Sequence, residues 1–482
     1  MATGKQLSGR TTSGEGGLGE VDRLLDELER NLESARISLK QQEALLTKIK
    51  ILGRDIKTAT PIFTTKGINV LSKYGLDADA STTSREALRC LANAFLLDEP
   101  SRQIFVDLGY APKAAERLKV HHNDDEFLIS RILFLLTYNT ELDFQALVDK
   151  HDLAGSVVRH VSRHAKTYAV SDITACERPP MEDAAMTETL KLLFNMTYYY
   201  PDMVLTFNST IEPLISLIVN YRLPTPPLQQ PVNNMLNALM NLDLQSFWTQ
   251  TLLHPEAKIN PLFPRAHPEV VVDRLVFVLE KAIKNYPERE LDGAAASLCT
   301  LLRRSYELAD TQVRSRMRWL LLPREKDRNK PLGQGDMLSS RLLRLSCSAN
   351  LPTLRENISN LLFELSDKDA TTFVQNIGYG FASGFLMTHN IAIPAHLAEA
   401  SGQRSEGNIT TGGDINPVTG QNLSAEAAYG NTGTDDMTEE EKEREAERLF
   451  VLFERLRATG VVDIKNPVQQ AVEEGRFEEL SD

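Results

Sequence analysis

Three glycines, Gly378, Gly380 and Gly384 in the stretch NIGYGFASGFL, have the look of a phosphate-cradling loop. Their spacing, G-x-G-x-x-x-G, is one residue too long for the dinucleotide fingerprint, which also needs a strand in front of it. The preceding TLRENISNLLFELSDKD reads as helix instead. The glycines are therefore expected to start a helix tightly, with Ala382, Ser383 and Gly384 small enough for close packing. His160 and His164 lie one helical turn apart, a spacing that suits a metal, yet Arg159, Arg163 and Lys166 flank them and no third ligand is placed. His121 and His122 beside Asp124, Asp125 and Glu126 read as a charged loop. The chain has no G-x-S-x-G, no HExxH and no Cys/His dyad signature. No catalytic residue, cofactor or metal is assigned.

Side chains suited to binding are easier to find. Asn93, Asn195 and Asn241 recur at one place in a repeated helical frame, and Asn139 lies one residue out of it. An asparagine at a fixed place in each unit of an armadillo-type array donates and accepts at once, so a ladder of them can hold a peptide backbone. The same residues can equally cap or tie loops inside the array. Arg303, Arg304, Arg314, Arg316, Arg318, Arg341 and Arg344 concentrate positive charge in the later units. Arginine recognises carboxylates bidentately, which favours an acidic or carboxylate-ended partner; solvated helix faces are the plainer reading. Thr432, Thr434 and Thr438 precede acidic residues and are candidate sites for an acidic-directed kinase. Thr438 with Glu441 also makes a T-x-x-E capping box. Cys90, Cys176, Cys299 and Cys347 match no zinc or CxxC spacing and are expected to be reduced thiols.

The elements that must position these groups are helices. Residues 1–20 are Gly/Ser/Thr-rich and expected to be disordered. From 21 to 400 the pattern is helix after helix, punctuated by proline, with no strict alternation to support strands. Six of the helices share a frame: a leucine or isoleucine, an apolar residue three on, and a marked residue two further. They read Leu88, Leu91, Asn93; Leu133, Leu136, Tyr138; Leu190, Leu193, Asn195; Leu236, Leu239, Asn241; Leu298, Leu301, Arg303; and Ile358, Leu361, Phe363. The marked positions are 45, 57, 46, 62 and 60 residues apart. Armadillo and HEAT units take about 40–47 residues, so the pattern predicts such an array with insertions. Proline-rich stretches at 222–231 and 254–268 and a mobile basic loop at 323–336 fit the insertions. Residues 401–437 read as a flexible linker, and 438–482 as an acidic amphipathic helix and tail. The fold class is thus all-α: an armadillo/HEAT right-handed superhelix, a linker and a C-terminal helix.

Charge narrows the partners. The net charge is −13, and residues 401–482 carry 18 Asp/Glu against 8 Lys/Arg. An acidic chain lacks the footprint of a nucleic-acid binder. No apolar run is expected to reach the roughly 18 residues of a membrane span, and no signal-peptide layout opens the chain.

Several stretches resemble synembryn, the family of resistance to inhibitors of cholinesterase eight. They are EALRCLANAF (86–95), FLISRILFLLTY (127–138), ETLKLLFNMTY (188–198), VNNMLNALMNL (232–242), RLLRLS (341–346), NLLFELSDKD (360–369) and IGYGFASGFL (377–386). The Gly/Thr-rich linker departs from the family pattern and marks a divergent, fungal-type member. The resemblance implies a superhelix that binds heterotrimeric G-protein α subunits, GDP-bound and nucleotide-free. It implies a guanine nucleotide exchange factor and folding chaperone that takes the α subunit's C-terminal helix in its concave groove. Exchange by this route makes and breaks no covalent bond. Asn93, Asn139, Asn195, Asn241, Arg303, Arg341 and Arg344 are then the expected partner-binding residues. A cytoplasmic monomer, recruited to the inner face of the plasma membrane through the α subunit, is the expected setting. The rival reading is an armadillo-type adaptor that binds extended peptides without exchange activity.

Overall fold

The structure, a computed structural model, describes residues 13–170, 181–246, 260–392, 415–416 and 419–425. Cys176, Thr432, Thr434, Thr438, the helix expected over 438–482 and most of the linker lie outside the described residues. Every regular element described is helical; the only β feature among the described residues is an isolated bridge between Ile415 and Asn422.

The chain runs through α1 (Ser13–Ser34), α2 (Leu39–Leu52), α3 (Ile56–Ala59), α4 (Thr65–Ser72), α5 (Thr82–Leu97), α6 (Pro100–Asp107) and α7 (Ala111–Arg117). It continues with α8 (Asn123–Leu136), α9 (Phe144–His151), α10 (Leu153–Ala169), α11 (Glu182–Tyr199), α12 (Ile211–Asn220) and α13 (Val232–Asn241). Then follow α14 (Val270–Asn285), α15 (Glu288–Leu308), α16 (Thr311–Leu321), α17 (Leu338–Leu345), α18 (Pro352–Glu364), α19 (Ala370–Ile377) and α20 (Tyr379–Thr388). α1 begins at Ser13, so part of the stretch expected to be disordered is helical.

Two compact units result. One comprises residues up to 322 with 336–373; the other comprises 323–335 with the chain from 374 onwards. In the first, α2, α5, α8, α11, α13, α15 and α18 form a row in which each helix packs on the next. All six framed helices stand in that row. Their frame residues Leu88, Leu91, Leu133, Leu136, Leu190, Leu193, Leu236, Leu239, Leu298, Leu301, Ile358 and Leu361 are each at most 1% exposed. The frame is therefore the packing register of the array. Each such side chain contributes about 1.5–3 kcal/mol by leaving water.

Local signals start several helices, in the row and beside it. Ser38 and Ser81 make capping boxes with Gln41 and Ser84, and Asp143 and Asp310 accept from Ala146 N and Val313 N. Pro201–Asn220 is long and apolar enough to cross a membrane by composition. Here it is a core segment: Phe207, Ile211, Leu214 and Leu217 are buried, and it packs on α10, α11 and α13.

The second unit corrects two expectations. The basic loop is ordered by Arg328, only 6% exposed. Its Nη2 donates to Gln375 O at 3.1 Å and Asn376 O at 3.0 Å, closing the last turn of α19. Its Nη1 donates to Gly420 O at 2.9 Å, within the stretch expected to be linker. Leu332 N donates to Thr419 O at 3.2 Å and Asn422 N to Arg328 O at 2.9 Å, so residues 419–425 are anchored. Gly420 has φ +66°, and a Cβ there would fall 2.9 Å from Leu332 Cγ. Backbone pairing and one glycine approach hold a segment whose composition alone reads as flexible.

The glycine cluster starts a helix, as expected. Gly378 occupies the N-cap of α20 with φ +80°, a conformation that favours glycine. The packing expectation fails at Gly384, which is exposed with no described atom within 4 Å of a Cβ built on it; Ala382 is the buried small residue.

Candidate docking face

The most distinctive surface of the first unit lies across α8 and α11. Phe194 and Tyr198 are four residues apart on α11 and share one helical face, while Phe134 lies on α8 and Tyr138 just past its end. Phe134 meets Tyr138 edge-on at 5.3 Å, Tyr138 meets Tyr199 at 5.8 Å, and Tyr198 meets Tyr199 at 5.1 Å. Phe194 stacks on Tyr198 at 5.6 Å. Five rings thus form one continuous patch, yet Tyr198 is 61% and Tyr199 47% exposed. Exposed aromatics so grouped mark a contact surface, because an isolated apolar side chain needs no explanation and a cluster does.

The same face continues towards the helix N-termini. Lys191 Nζ lies 5.9 Å from the Phe134 ring and pairs with Glu188 at 2.9 Å. Arg131 approaches Glu188 at 3.6 Å and lies over Phe127 at 5.8 Å. On α13, the next helix of the row, Asn241 Nδ2 donates to Phe194 O at 3.3 Å. The face is aromatic at one end and ionic at the other.

A buried charge cluster braces the helices that carry it. Glu126 and Glu182 sit in the first turns of α8 and α11, where the helix dipole favours anions. His164 of α10 reaches both: Nε2 is 2.8 Å from Glu126 Oε1, and Nδ1 is 2.5 Å from Glu182 Oε1. A ring with carboxylates on both nitrogens donates from both, so His164 is the imidazolium. His160 Nδ1 lies 3.1 Å from Glu126 Oε2, and Arg163 pairs with both glutamates. Asn123 donates to Glu182 at 2.9 Å and Thr189 to Glu126 at 2.7 Å. His164 and Glu126 are 0% exposed. Burial disfavours the Glu126 carboxylate, yet His164 bonded to it and His160 close beside it outweigh burial and hold the carboxyl far below its ordinary range. Glu182 is likewise depressed, against burial, chiefly by His164. Burial would lower the His164 pKa; Glu126 and Glu182 raise it above that of a free imidazole.

The residues singled out in the sequence take different positions. Asn195 is 2% exposed and donates to Thr137 Oγ1 at 2.7 Å, tying α11 to the end of α8. Asn139 is exposed past the end of α8 at φ +54°, and its amide donates to Glu99. Asn93 is half-buried on α5, with no described hydrogen-bond partner. Arg303 pairs with Glu307 at 2.8 Å, while Arg304 donates to Met240 O and to Leu242 O at 3.1 Å, closing the end of α13. Arg316 grips Asp273 at 2.9 and 3.0 Å; Arg314 and Arg318 lie over the Tyr306 ring. Arg341 donates to Asp336 O at 3.0 Å, and Arg344 is exposed. Cys90 and Cys299 are buried, and burial pushes the Cys299 thiol up to about 12. Among the described residues no cluster of His, Cys, Asp or Glu is arranged to hold a metal.

Of the patch only Tyr138 stands at a marked frame position; Phe134, Phe194, Tyr198 and Tyr199 lie off the frame, so the repeat does not announce them. The signal was present: YYY at 198–200 follows a framed helix directly. The histidine cluster escaped because Glu126 and Glu182 lie 38 and 18 residues from His164.

An all-α repeat array with a braced, exposed aromatic face defines a protein-binding helical scaffold. The profile of the family described as "Guanine nucleotide exchange factor synembryn" matches residues 45–476, and the chain belongs to that family. It is 26% identical over 488 aligned residues to a chaperone Ric-8A of Danio rerio, covering 92% of this chain and 84% of the relative. It is 25% identical to a chaperone Ric-8A of Xenopus laevis over 86% of this chain and 81% of the relative. It is 27% identical to a synembryn-like chaperone of Schizosaccharomyces pombe over 52% of this chain and 47% of that protein.

Proposed function

We propose that this protein binds heterotrimeric G-protein α subunits, stabilises their nucleotide-free form, and so serves both as a folding chaperone and as an exchange factor. The α subunit's C-terminal helix lies across α8, α11 and α13, with apolar residues on the Phe134–Tyr138–Phe194–Tyr198–Tyr199 patch. The observation that carries this reading is the size and exposure of that patch on a member of the synembryn family. Helix-in-groove recognition needs apolar anchors at three- and four-residue spacing opposite a firm surface. Exchange then requires only that the nucleotide-free conformation bind better than the GDP-bound one. GTP displaces the scaffold by the reciprocal of the same coupling.

Asn93, Asn241, Arg303, Arg341 and Arg344 extend the contact, and the segment 438–482 supplies a second one whose threonines an acidic-directed kinase modifies. The setting is a cytoplasmic monomer drawn to the inner membrane face by the α subunit. The test is binding and GDP release with a purified α subunit, comparing the chain with Tyr198→Ala/Tyr199→Ala. Loss of two central aromatic anchors is expected to weaken the nucleotide-free complex by about 1.5–4 kcal/mol. Unchanged affinity removes the patch from the interface; absent stimulation of GDP release in the unaltered chain leaves the adaptor reading.

A further inference from the structure

Beyond the ionic end of the docking face, at the start of α11, an open cleft of about 290 Å³ is lined by residues of α8, α11 and the turn before α13. That is at the lower edge of the range, about 300–1,000 Å³, that holds a drug-sized ligand, and it suits one long side chain. Phe127, Tyr221 and Pro231 give it apolar walls; among the described residues Asp183 and Glu188 are its charged lining residues, and no described cation lines it. Glu188 is 4% exposed. Its Oε1 takes Lys191 at 2.9 Å and Arg131 at 3.6 Å, while no described group bonds to Oε2. The Gln230 amide at the rim is exposed and bonds to no described residue. Asp183, also at the rim, is exposed and accepts from the Tyr168 hydroxyl.

We propose that this cleft takes a basic side chain, a guanidinium or ammonium, from the segment that lies along the docking face. The inference rests on the docking reading above and adds a charge requirement to it. Asp183 is an exposed carboxylate at the rim, and Phe127 and Tyr221 supply ring walls, so the cleft offers a cation both a charge partner and aromatic faces. The distance sets a register. Asp183 and Tyr198 are fifteen residues apart on α11, about 22 Å at 1.5 Å per residue. A helix laid along α11 with an apolar residue on Tyr198 therefore brings a basic residue to the cleft about fifteen positions away.

The test uses three synthetic amphipathic helical peptides, titrated against the full chain by fluorescence anisotropy. They are identical except that the position fifteen residues from a terminal leucine is arginine, norleucine or glutamate. The arginine peptide is expected to bind about tenfold tighter than the norleucine one, and the glutamate peptide more weakly than either. Asp183→Asn/Glu188→Gln should bring the three together. Because Glu188 is nearly buried, the exposed Gln230→Glu serves as a second variant and should widen the arginine preference. Equal affinity of the three peptides for the unaltered chain overturns the cleft assignment. If nucleotide-free α subunit still binds and depends on Tyr198 in that case, only the cleft falls; if neither the α subunit nor any peptide binds, the docking reading falls with it.

Discussion

Replacing His164 by alanine tests the brace under the docking face. With Glu126 and Glu182 ionised, Arg163 and the His164 imidazolium balance two buried negative charges. Removing the imidazole leaves one carboxylate in excess where neither Glu126 nor Glu182 is more than 3% exposed. Breaking a buried pair on one side costs about 3–5 kcal/mol, because the remaining charge stays desolvated. The pH dependence has a definite sign. The His164 pKa is raised on folding, so its contribution is fully present below the unfolded value, about 6.5, and is lost as pH rises through the folded value. Those of Glu126 and Glu182 are depressed, so their contributions are present above about 4.3 and are lost as pH falls through the folded values. Amide hydrogen exchange of α8, α10 and α11, corrected for intrinsic rates, reads this locally and does not require the array to unfold in one step. The variant should open more readily by about 3–5 kcal/mol near pH 6, and the difference should shrink at alkaline pH. A difference under about 1 kcal/mol, or one that grows with pH, refutes the charged-imidazole account.

Three further outcomes follow from other parts of the fold. Gly420→Ala should destabilise the second unit by at least about 1–2 kcal/mol, from positive φ and overlap with Leu332, seen as faster proteolysis of 415–425. Arg341→Glu/Arg344→Glu should weaken α-subunit binding by about tenfold with an unchanged circular dichroism spectrum; unaltered binding removes both from the interface. Deleting 438–482 should slow nucleotide release more than it weakens docking, since loss of one of two tethered contacts lowers effective concentration without touching the other. Release at full rate from a loaded α subunit would exclude that second contact.

The repeat was legible because packing register is periodic. Leu88, Leu133, Leu190, Leu236, Leu298 and Ile358 are buried in adjacent row helices, and their spacing in the chain carried that information. The marked residue two beyond the second apolar position was harder to interpret, because periodicity fixes a position and not the neighbour it meets. Asn195 meets Thr137 and Asn241 meets Phe194 O, so at these two places the recurring asparagine fastens one repeat to the one before. His160 and His164 were separated from a metal by the arginines beside them, and the structure supplies the carboxylates that those arginines and histidines serve. Nothing local announces such a pairing, since Glu126 and Glu182 open helices of different repeats. The same limit applies at 419–425, where glycine, asparagine and threonine read as linker and only the Arg328 side chain and the backbone of residues 328–332 reveal an anchor.

The two ends of α8 and α11 divide the work. Their N-terminal turns carry Glu126 and Glu182 into the buried cluster, and their C-terminal ends carry Tyr138, Tyr198 and Tyr199 to the surface. A helix docked as proposed would span much of that length, so its affinity would depend on the two row helices keeping one relative register. Loosening the cluster therefore charges ordering entropy to the complex although no cluster residue touches the partner. His164→Ala should weaken the nucleotide-free complex through a slower association or a smaller competent fraction, with a dissociation rate near that of the unaltered chain. Tyr198→Ala, which removes a contact, should instead act on dissociation. Stopped-flow binding separates the two, and identical kinetic signatures for both variants would show that the brace and the patch are not distinct in function.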